Sequence, residues 1–299
     1  MNDRKDPLTQ LSKALAERAD EARSSVAAIQ GKHHSLSAVV WRDDTLVTSA
    51  QSLSKRDSYE IAAAGGESRT AILSGADRAT NIAALKLSKP LKAKPLIGRT
   101  LQVGELVVAY GADRSGSVRA RLGIANAVGD AWVCSSGGRI DSRIDLDLRL
   151  GASEEGGPVF AADGGFVGMG TFGPSERAIA IPAATLERVI PVLLSDGHVA
   201  RGWLGIALQP VAVPETFRDA AGQSGALMAM SVAADGPAAK AGVLAGDIVL
   251  SVDGHGTERT RTVMSSLGPE SVGRKVDLKL IRGGAIQTLP LTVEARPNA

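Results

Sequence analysis

Residues 156–171 read GGPVFAADGGFVGMGT. Two short apolar runs, PVFA and FVGMGT, flank the turn ADGG, and that pattern predicts a β-hairpin. Directly ahead lies LGASEE at 150–155, which sets Ser153, Glu154 and Glu155 against a glycine pair. Serine and carboxylate are residue types that carry nucleophilic and acid–base chemistry. The hairpin and its lead-in are therefore read together.

The same texture extends both ways. From about residue 35, short β-rich runs such as LSAVVW, TLVTSA, TAILSG, ELVVAY and RLGIANAV alternate with RDD, GGE and DRS. Many short strands at such spacing predict a β-barrel or sandwich rather than a parallel α/β sheet. AAAGGESR, DRSGS at 113–117 and GGRI at 137–140 read as hairpin turns. Helical periodicity appears first at Leu8, Leu11, Leu15, Ala19, Ala22 and Val26, with ERADEAR as the polar face. It predicts an amphipathic helix within 1–23 that docks on a neighbouring surface. A second helix is predicted at 183–195, starting at Pro182 or Thr185 and kinked by Pro191. The Gly-containing linker DGHVARGW follows. It separates a β-barrel block at 24–197 from a second β-rich block at 201–296, whose helical pieces lie near PAAKAGV and ERTRTVMSSLG.

Composition narrows the class. The 299 residues suit about two domains. With 44% hydrophobic and only 3% aromatic residues, the core is built from Val, Leu, Ile and Ala. A net charge of +2 gives no argument for nucleic acid or membrane partners. The single cysteine, Cys134, excludes an internal disulfide and reads as a small buried hydrophobe. No run of 18 apolar residues occurs, and the N-terminal stretch has no apolar h-region. The expectation is a cytoplasmic protein, or a periplasmic one if a leader has been removed.

Residues 201–296 resemble a PDZ domain of the HtrA/Deg family, through RGWLGI, DGPAAKAGVLAGDIVLSVDG and VGRKVDLKLIRGGAIQTLPLTV. Such a module adds an extended peptide to a sheet edge. The resemblance makes Trp203, Leu204, Gly205 and Ile206 the carboxylate-binding loop. Gly205 supplies the turn that points backbone N–H groups at the carboxylate. Val263, Met264 and Leu267 are the apolar groove wall, with Arg201 or Arg261 adding charge.

Residues 24–195 resemble the protease domain of the same family, a trypsin-like double β-barrel. LVTSAQSL, ADRATNIAALKL, GGPVFAADGGFVGMGT and AIAIPAATLERVIPVLLSDGHVARGWLGI carry that likeness in the family's order. The family's catalysis needs a serine, a histidine base and a carboxylate that fixes the histidine tautomer. Its histidine segment T-x-N-H-V-V stands here as Thr48-Ser49-Ala50-Gln51-Ser52-Leu53, so Gln51 takes the histidine place. A carboxamide has no nitrogen that accepts a proton near neutral pH. The acid segment D-x-x-T-D-I-A stands as 77–83, with Asn81 in the aspartate place. In a triad, that one change costs on the order of 10⁴ in turnover. Anchoring G-x-S-G-G-P on Gly156-Gly157-Pro158 puts Glu155 in the serine place, and Asp147 falls eight residues before it.

The expectation is a pseudoprotease with Gln51, Asn81 and Glu155 as vestigial triad positions. Its PDZ domain binds C-terminal peptides or unfolded segments, as scaffold, chaperone-like or regulatory subunit in protein quality control. The family implies a homo-oligomer, with a trimer or pairing with an active paralogue as variants, and neither cofactor nor metal. The alternative is an active serine endopeptidase using Ser153 with an unrecognised base. Of the histidines, His33, His34, His198 and His255, none falls at the family position. Asp145, Asp147, Glu154 and Glu155 read as a solvated acidic loop.

Overall fold

The computed structural model describes residues 6–32, 34–63, 66–134, 136–173 and 176–297. His33 lies outside them. The chain divides into two compact units. One holds residues 1–132 and 140–199, the other 133–139 and 200–299.

The first unit opens with helix α1, Pro7–Ala22. Asp6 caps it, accepting the Thr9 N–H at 3.2 Å, and Pro7 takes the first helical position. Only the C-terminal half docks: Leu15, Ala19 and Ala22 pack on Val108 and Tyr110. Leu8 is 74% exposed. The expected docking stripe therefore stops short at its N-terminal end, and Val26, its last member, belongs to a strand instead.

Two closed six-stranded barrels follow. The first runs β1 (Val26–Ile29), β2 (Leu36–Arg42), β3 (Thr45–Ser49), β4 (Tyr59–Ala63), β5 (Ser68–Asp77) and β6 (Ile82–Leu87), in the spatial order β1-β2-β3-β6-β5-β4. The second holds β7 (Leu106–Ala112) and β8 (Val118–Gly129). After the two-residue strands β9 (Trp132–Val133) and β10 (Arg139–Ile140) come β11 (Arg143–Asp147), β12 (Pro158–Ala161), β13 (Phe166–Phe172) and β14 (Ala178–Pro182). Its order is β11-β14-β13-β12-β7-β8. Each interior is aliphatic. Val40, Leu46, Ile61 and Leu85 fill the first, and Val107, Ile144, Val159 and Val167 the second. Helix α2 (Ala183–Asp196) lays Leu186, Val189, Ile190 and Leu193 against Trp41 and Phe166. It begins at Pro182, spans Pro191, and ends on Gly197 in the left-handed conformation.

The hairpin of 156–171 forms as the sequence indicates. β12 pairs β13 antiparallel, and Gly164 takes a φ of +89° in its turn. Cys134 departs from expectation. It is half-buried, and its Sγ accepts the Gly138 N–H at 3.2 Å, so it acts as a turn acceptor.

The second unit holds a six-stranded sheet with α-helices. It runs β15 (Gly202–Trp203), β16 (Ile206–Ala212), α3 (Glu215–Ala221), β17 (Gly225–Val232) and α4 (Pro237–Lys240). Then come β18 (Ile248–Val252), β19 (His255–Gly256), α5 (Thr260–Ser266), β20 (Lys275–Arg282), β21 (Ala285–Thr292) and β22 (Glu294–Ala295). The sheet order is β16-β17-β18-β20-β21, with β19 on β18, so β16 is an edge strand. Its core joins Leu204, Leu227, Val249, Val263, Leu278 and Leu291. Asp247, buried, holds Arg282 through two charge-assisted bonds of 2.7 and 2.5 Å.

Candidate functional site

Strand register brings Gln51 and Asn81 together. In the β3–β6 pair, Ser49 stands opposite Ile82, so the residues just past β3 meet those just before β6. Asp77 shapes the approach, bonding the Thr80 N–H and hydroxyl at 3.2 and 2.6 Å. The chain then enters Asn81 at φ +59°. Asparagine takes that left-handed conformation more readily than most residues. Its Oδ1 accepts the Gln51 backbone N–H at 2.7 Å, and its Nδ2 donates to Thr171 Oγ1 at 2.9 Å.

The second barrel supplies the rest. Gly156 N donates to Gly170 O and Gly170 N to Gly157 O, both at 2.8 Å, which draws Glu155 alongside Thr171. Three donors converge on Glu155 Oε1: Ser49 Oγ at 2.9 Å, Gln51 Nε2 at 3.0 Å and Thr171 Oγ1 at 3.2 Å. Gln51 Nε2 also reaches the Phe172 carbonyl at 3.1 Å. Gln51, Asn81 and Glu155 thus share one hydrogen-bonded cluster, with Thr171 at its centre.

Ser153 lies beside this cluster. Its Oγ donates to Glu154 Oε1 at 3.0 Å, while Glu154 Oε2 accepts the Gly151 N–H at 2.6 Å and faces Arg121 Nε at 3.4 Å. The expected solvated acidic loop is corrected here. Glu154 is 1% and Glu155 5% exposed, and Asp145 is buried too; of the four carboxylates only Asp147 is exposed. Each buried one has partners, Asp145 being clasped by Arg143 at 3.0 and 2.5 Å.

The loop is tied to both barrels. Ser37 Oγ donates to Ser153 O at 2.5 Å, Ser37 N to Glu155 O at 2.9 Å, and Thr48 Oγ1 to Ser37 O at 2.6 Å. Gly156 has φ +81°, and a Cβ there would run into the Ser37 carbonyl and the Thr48 hydroxyl. The Glu154 and Glu155 N–H groups both bond to Gly151 O, at 3.1 and 3.2 Å. An oxyanion hole needs such donors aimed outward at developing charge. In this conformation they are spent within the loop. Beside it opens a cleft of about 1000 Å³, walled by Asp147, Arg149, Gly151, Phe172 and Arg177.

Of the remaining histidines, His198 Nδ1 lies 3.0 Å from Asp196 O, and His255 is in β19. Among the described residues, no group of three or more His, Cys, Asp or Glu side chains could hold a metal ion.

The PDZ loop is a separate site. Gly205 sits at φ +76°. Leu204 O accepts the Ala238 N–H at 2.9 Å, and Gly205 O the Ala233 N–H at 2.8 Å. A trans peptide points N–H opposite to C=O, so the Gly205 N–H faces away from Ala238 and the Ile206 N–H away from Ala233. Val263 and Leu267 are largely buried in the domain core with Leu204. Met264, Trp203, Ile206 and Leu208 are half-buried. Arg261 is exposed, while Arg201 Nε donates to Gly137 O at 3.3 Å.

Ser37, Ser49, Arg121 and Thr171 escape the sequence reading. Ser49 and Thr171 stand inside the family-like segments, yet only the barrel register shows that they meet Glu155.

Known proteins share this organisation. Residues 36–169 match the model of the trypsin-like peptidase domain, and residues 202–293 that of the PDZ domain. A Brucella suis protein named "probable periplasmic serine endoprotease DegP-like" is 31% identical over 276 residues, covering 87% of this chain and 52% of its own length. A Bartonella henselae protein of the same name is 32% identical over 269 residues, covering 86% and 52%. The chain thus spans about half the length of these curated relatives. The solved structure "HtrA-type protease AlgW with tripeptide" superposes with a TM-score of 0.71 at 26% identity, over 95% of this chain and 98% of that one. Two expectations are corrected by these names. The relatives are called serine endoproteases, which overturns the expectation of a pseudoprotease. They are also called periplasmic, which overturns the expectation of a cytoplasmic protein.

Proposed function

The chain belongs to the HtrA/DegP family, with its trypsin-like protease domain and PDZ domain, and from that premise we propose that it captures extended polypeptide ends in the PDZ groove. The observation that carries this is the Trp203–Leu204–Gly205–Ile206 loop. Its carbonyls are tied to Ala233 and Ala238, which leaves two N–H groups on the opposite side. Beyond it, the edge strand β16 offers a backbone ladder for peptide addition. Half-buried Ile206, Leu208 and Met264 supply apolar contact for the last side chains of the peptide. On the same reading the protein works in the periplasm and assembles as a homo-oligomer, which cell fractionation and sedimentation measure.

Fluorescence polarisation with a library of C-terminal peptides tests the groove. Free-acid peptides bind selectively, their C-terminally amidated forms bind at least tenfold more weakly, and Gly205→Trp abolishes binding while the melting temperature of the barrels holds. Equal binding of acid and amide forms sinks the assignment.

A second reading, serine endopeptidase, is favoured by the names of the relatives. We read Gln51, Asn81 and Glu155 as standing at the base, acid and nucleophile positions of the family. The chain's candidate nucleophile is then Ser153, with the Glu154 carboxylate as its acceptor. Turnover by this loop also requires backbone N–H donors aimed at a substrate carbonyl, whereas the Glu154 and Glu155 N–H groups bond Gly151 O. Casein cleavage and fluorophosphonate labelling, both lost in Ser153→Ala, establish this reading. Cleavage that survives Ser153→Ala removes Ser153 from it.

A further inference from the structure

Beneath helix α1 lies a cavity of about 210 Å³, on the side of the second barrel. Its wall is apolar where Ala22, Leu96 and Phe160 line it. Two hydroxyls interrupt that wall. Tyr110, on β7, is 1% exposed, and Ser25, just past α1, is 4% exposed. Neither hydroxyl has a hydrogen-bond partner among the described residues. Both residues line the cavity, so both hydroxyls are placed to bond a polar group that enters it. Burial pushes the Tyr110 phenol up to about 12, with Arg18 opposing and Glu21 adding to the shift. It is therefore a neutral donor at physiological pH.

Charge at the rim has one dominant sign. Arg18 and Lys94 both line the cavity, against the single carboxylate of Glu21. Arg18 Nη1 bonds Glu21 Oε2 at 2.7 Å. The guanidinium lies across Gly164, where a Cβ would come within 3.0 Å of Nη1. The bare glycine thus leaves room for Arg18 to lie flat over the hairpin turn, and four further N–H donors of its fork remain for other acceptors.

We infer that this cavity is a binding site for a small organic carboxylate with a short apolar body. The apolar body would sit against Leu96 and Phe160. The carboxylate would accept from the Tyr110 and Ser25 hydroxyls and face Arg18 and Lys94. Size limits the ligand: a cavity of about 150 Å³ takes benzene, whereas drug-sized ligands need about 300 Å³ or more. Benzoate and hexanoate fit that window, and a long-chain fatty acid does not. The bound acid would touch both α1 and the barrel, so it would also clamp a helix that is otherwise held only through its last turns.

Isothermal titration of the full chain with benzoate and hexanoate is the test, with methyl benzoate and hexanol as neutral controls. Saturable binding of the acids is expected, together with slower hydrogen exchange in α1. Tyr110→Phe keeps the ring packing and removes only the hydroxyl; it should weaken acid binding by about fivefold. Arg18→Gln should weaken it further, without changing binding of the neutral controls. The inference is overturned if neither acid binds at millimolar concentration. It is also overturned if acid and neutral analogues bind alike, or if Tyr110→Phe and Arg18→Gln both bind the acids as the wild type does.

Discussion

Thr171 is the residue on which the cluster turns. Its single hydroxyl accepts from Asn81 and Gln51 and donates to Glu155. Thr171→Val keeps the shape and removes the hub: Asn81 Nδ2 loses its acceptor and Glu155 Oε1 one of its three donors, while Gln51 Nε2 keeps Glu155 and the Phe172 carbonyl. A loss of about 2 kcal/mol is expected in urea denaturation. Gly156→Ala is expected to cost more, about 3 kcal/mol or more, because it adds left-handed strain to a collision with Ser37 and Thr48. The segments that hold Gln51, Asn81 and Glu155 were legible from sequence, because turn glycines and strand runs anchor each one separately. Their mutual bonding was not. Ser49, Thr171 and Glu155 are up to 122 positions apart, and nothing local in a sequence states which hydroxyl faces which carboxylate. The same gap explains the acidic loop: LGASEE looks solvated until Arg121, on another strand, is found against Glu154.

At the scale of elements, the helices separate by what they bury. Helix α2 sets four apolar side chains into the core, so Leu186→Ala should cost about 3 kcal/mol. Helix α1 leaves Leu8 and Leu11 in solvent and docks by its C-terminal half. Leu8→Ser should therefore change stability by less than about 0.5 kcal/mol, and amides near the start of α1 should exchange well before those of α2. Periodicity predicted both helices. It overestimated the docked length of α1, since a stripe at three and four spacing reports a helix and not how far its partner surface extends. The hairpins at ADGG and DRSGS were legible because glycine at positive φ is a local requirement of the turn.

For the whole molecule, one buried ion pair ties the stability of the PDZ unit to pH. In the PDZ unit, burial raises the Asp247 pKa, but the Arg282 bonds, the Leu244 N–H and the guanidinium charge outweigh it and hold the carboxyl below its ordinary range. A depressed folded-state pKa gives stability that is present above the unfolded value, about 4, and lost as pH falls through the folded one. The PDZ unit should accordingly weaken below about pH 4. Asp247→Asn should cost about 2 kcal/mol at pH 7, and its gap to the wild type should narrow as pH falls below about 4. Guanidinium denaturation followed by NMR of PDZ amides measures both limbs. The order of two domains was legible from the sequence, because GPAAKAG and GGPVF each fix a backbone shape within a few residues.

The loop before β12 has a consequence for heredity. Gly156 and Gly157 each press bare backbone against a neighbour, the first on Ser37 and Thr48, the second on the Tyr110 carbonyl. Every single-base missense change of a glycine codon introduces a Cβ, so no such step leaves either position unstrained. Ser153 has no such constraint on its Cα, and its side chain makes one bond, to its neighbour Glu154. The loop therefore inherits its outline rigidly and its side chains loosely: a lineage can change Ser153 while the two barrels stay stitched together.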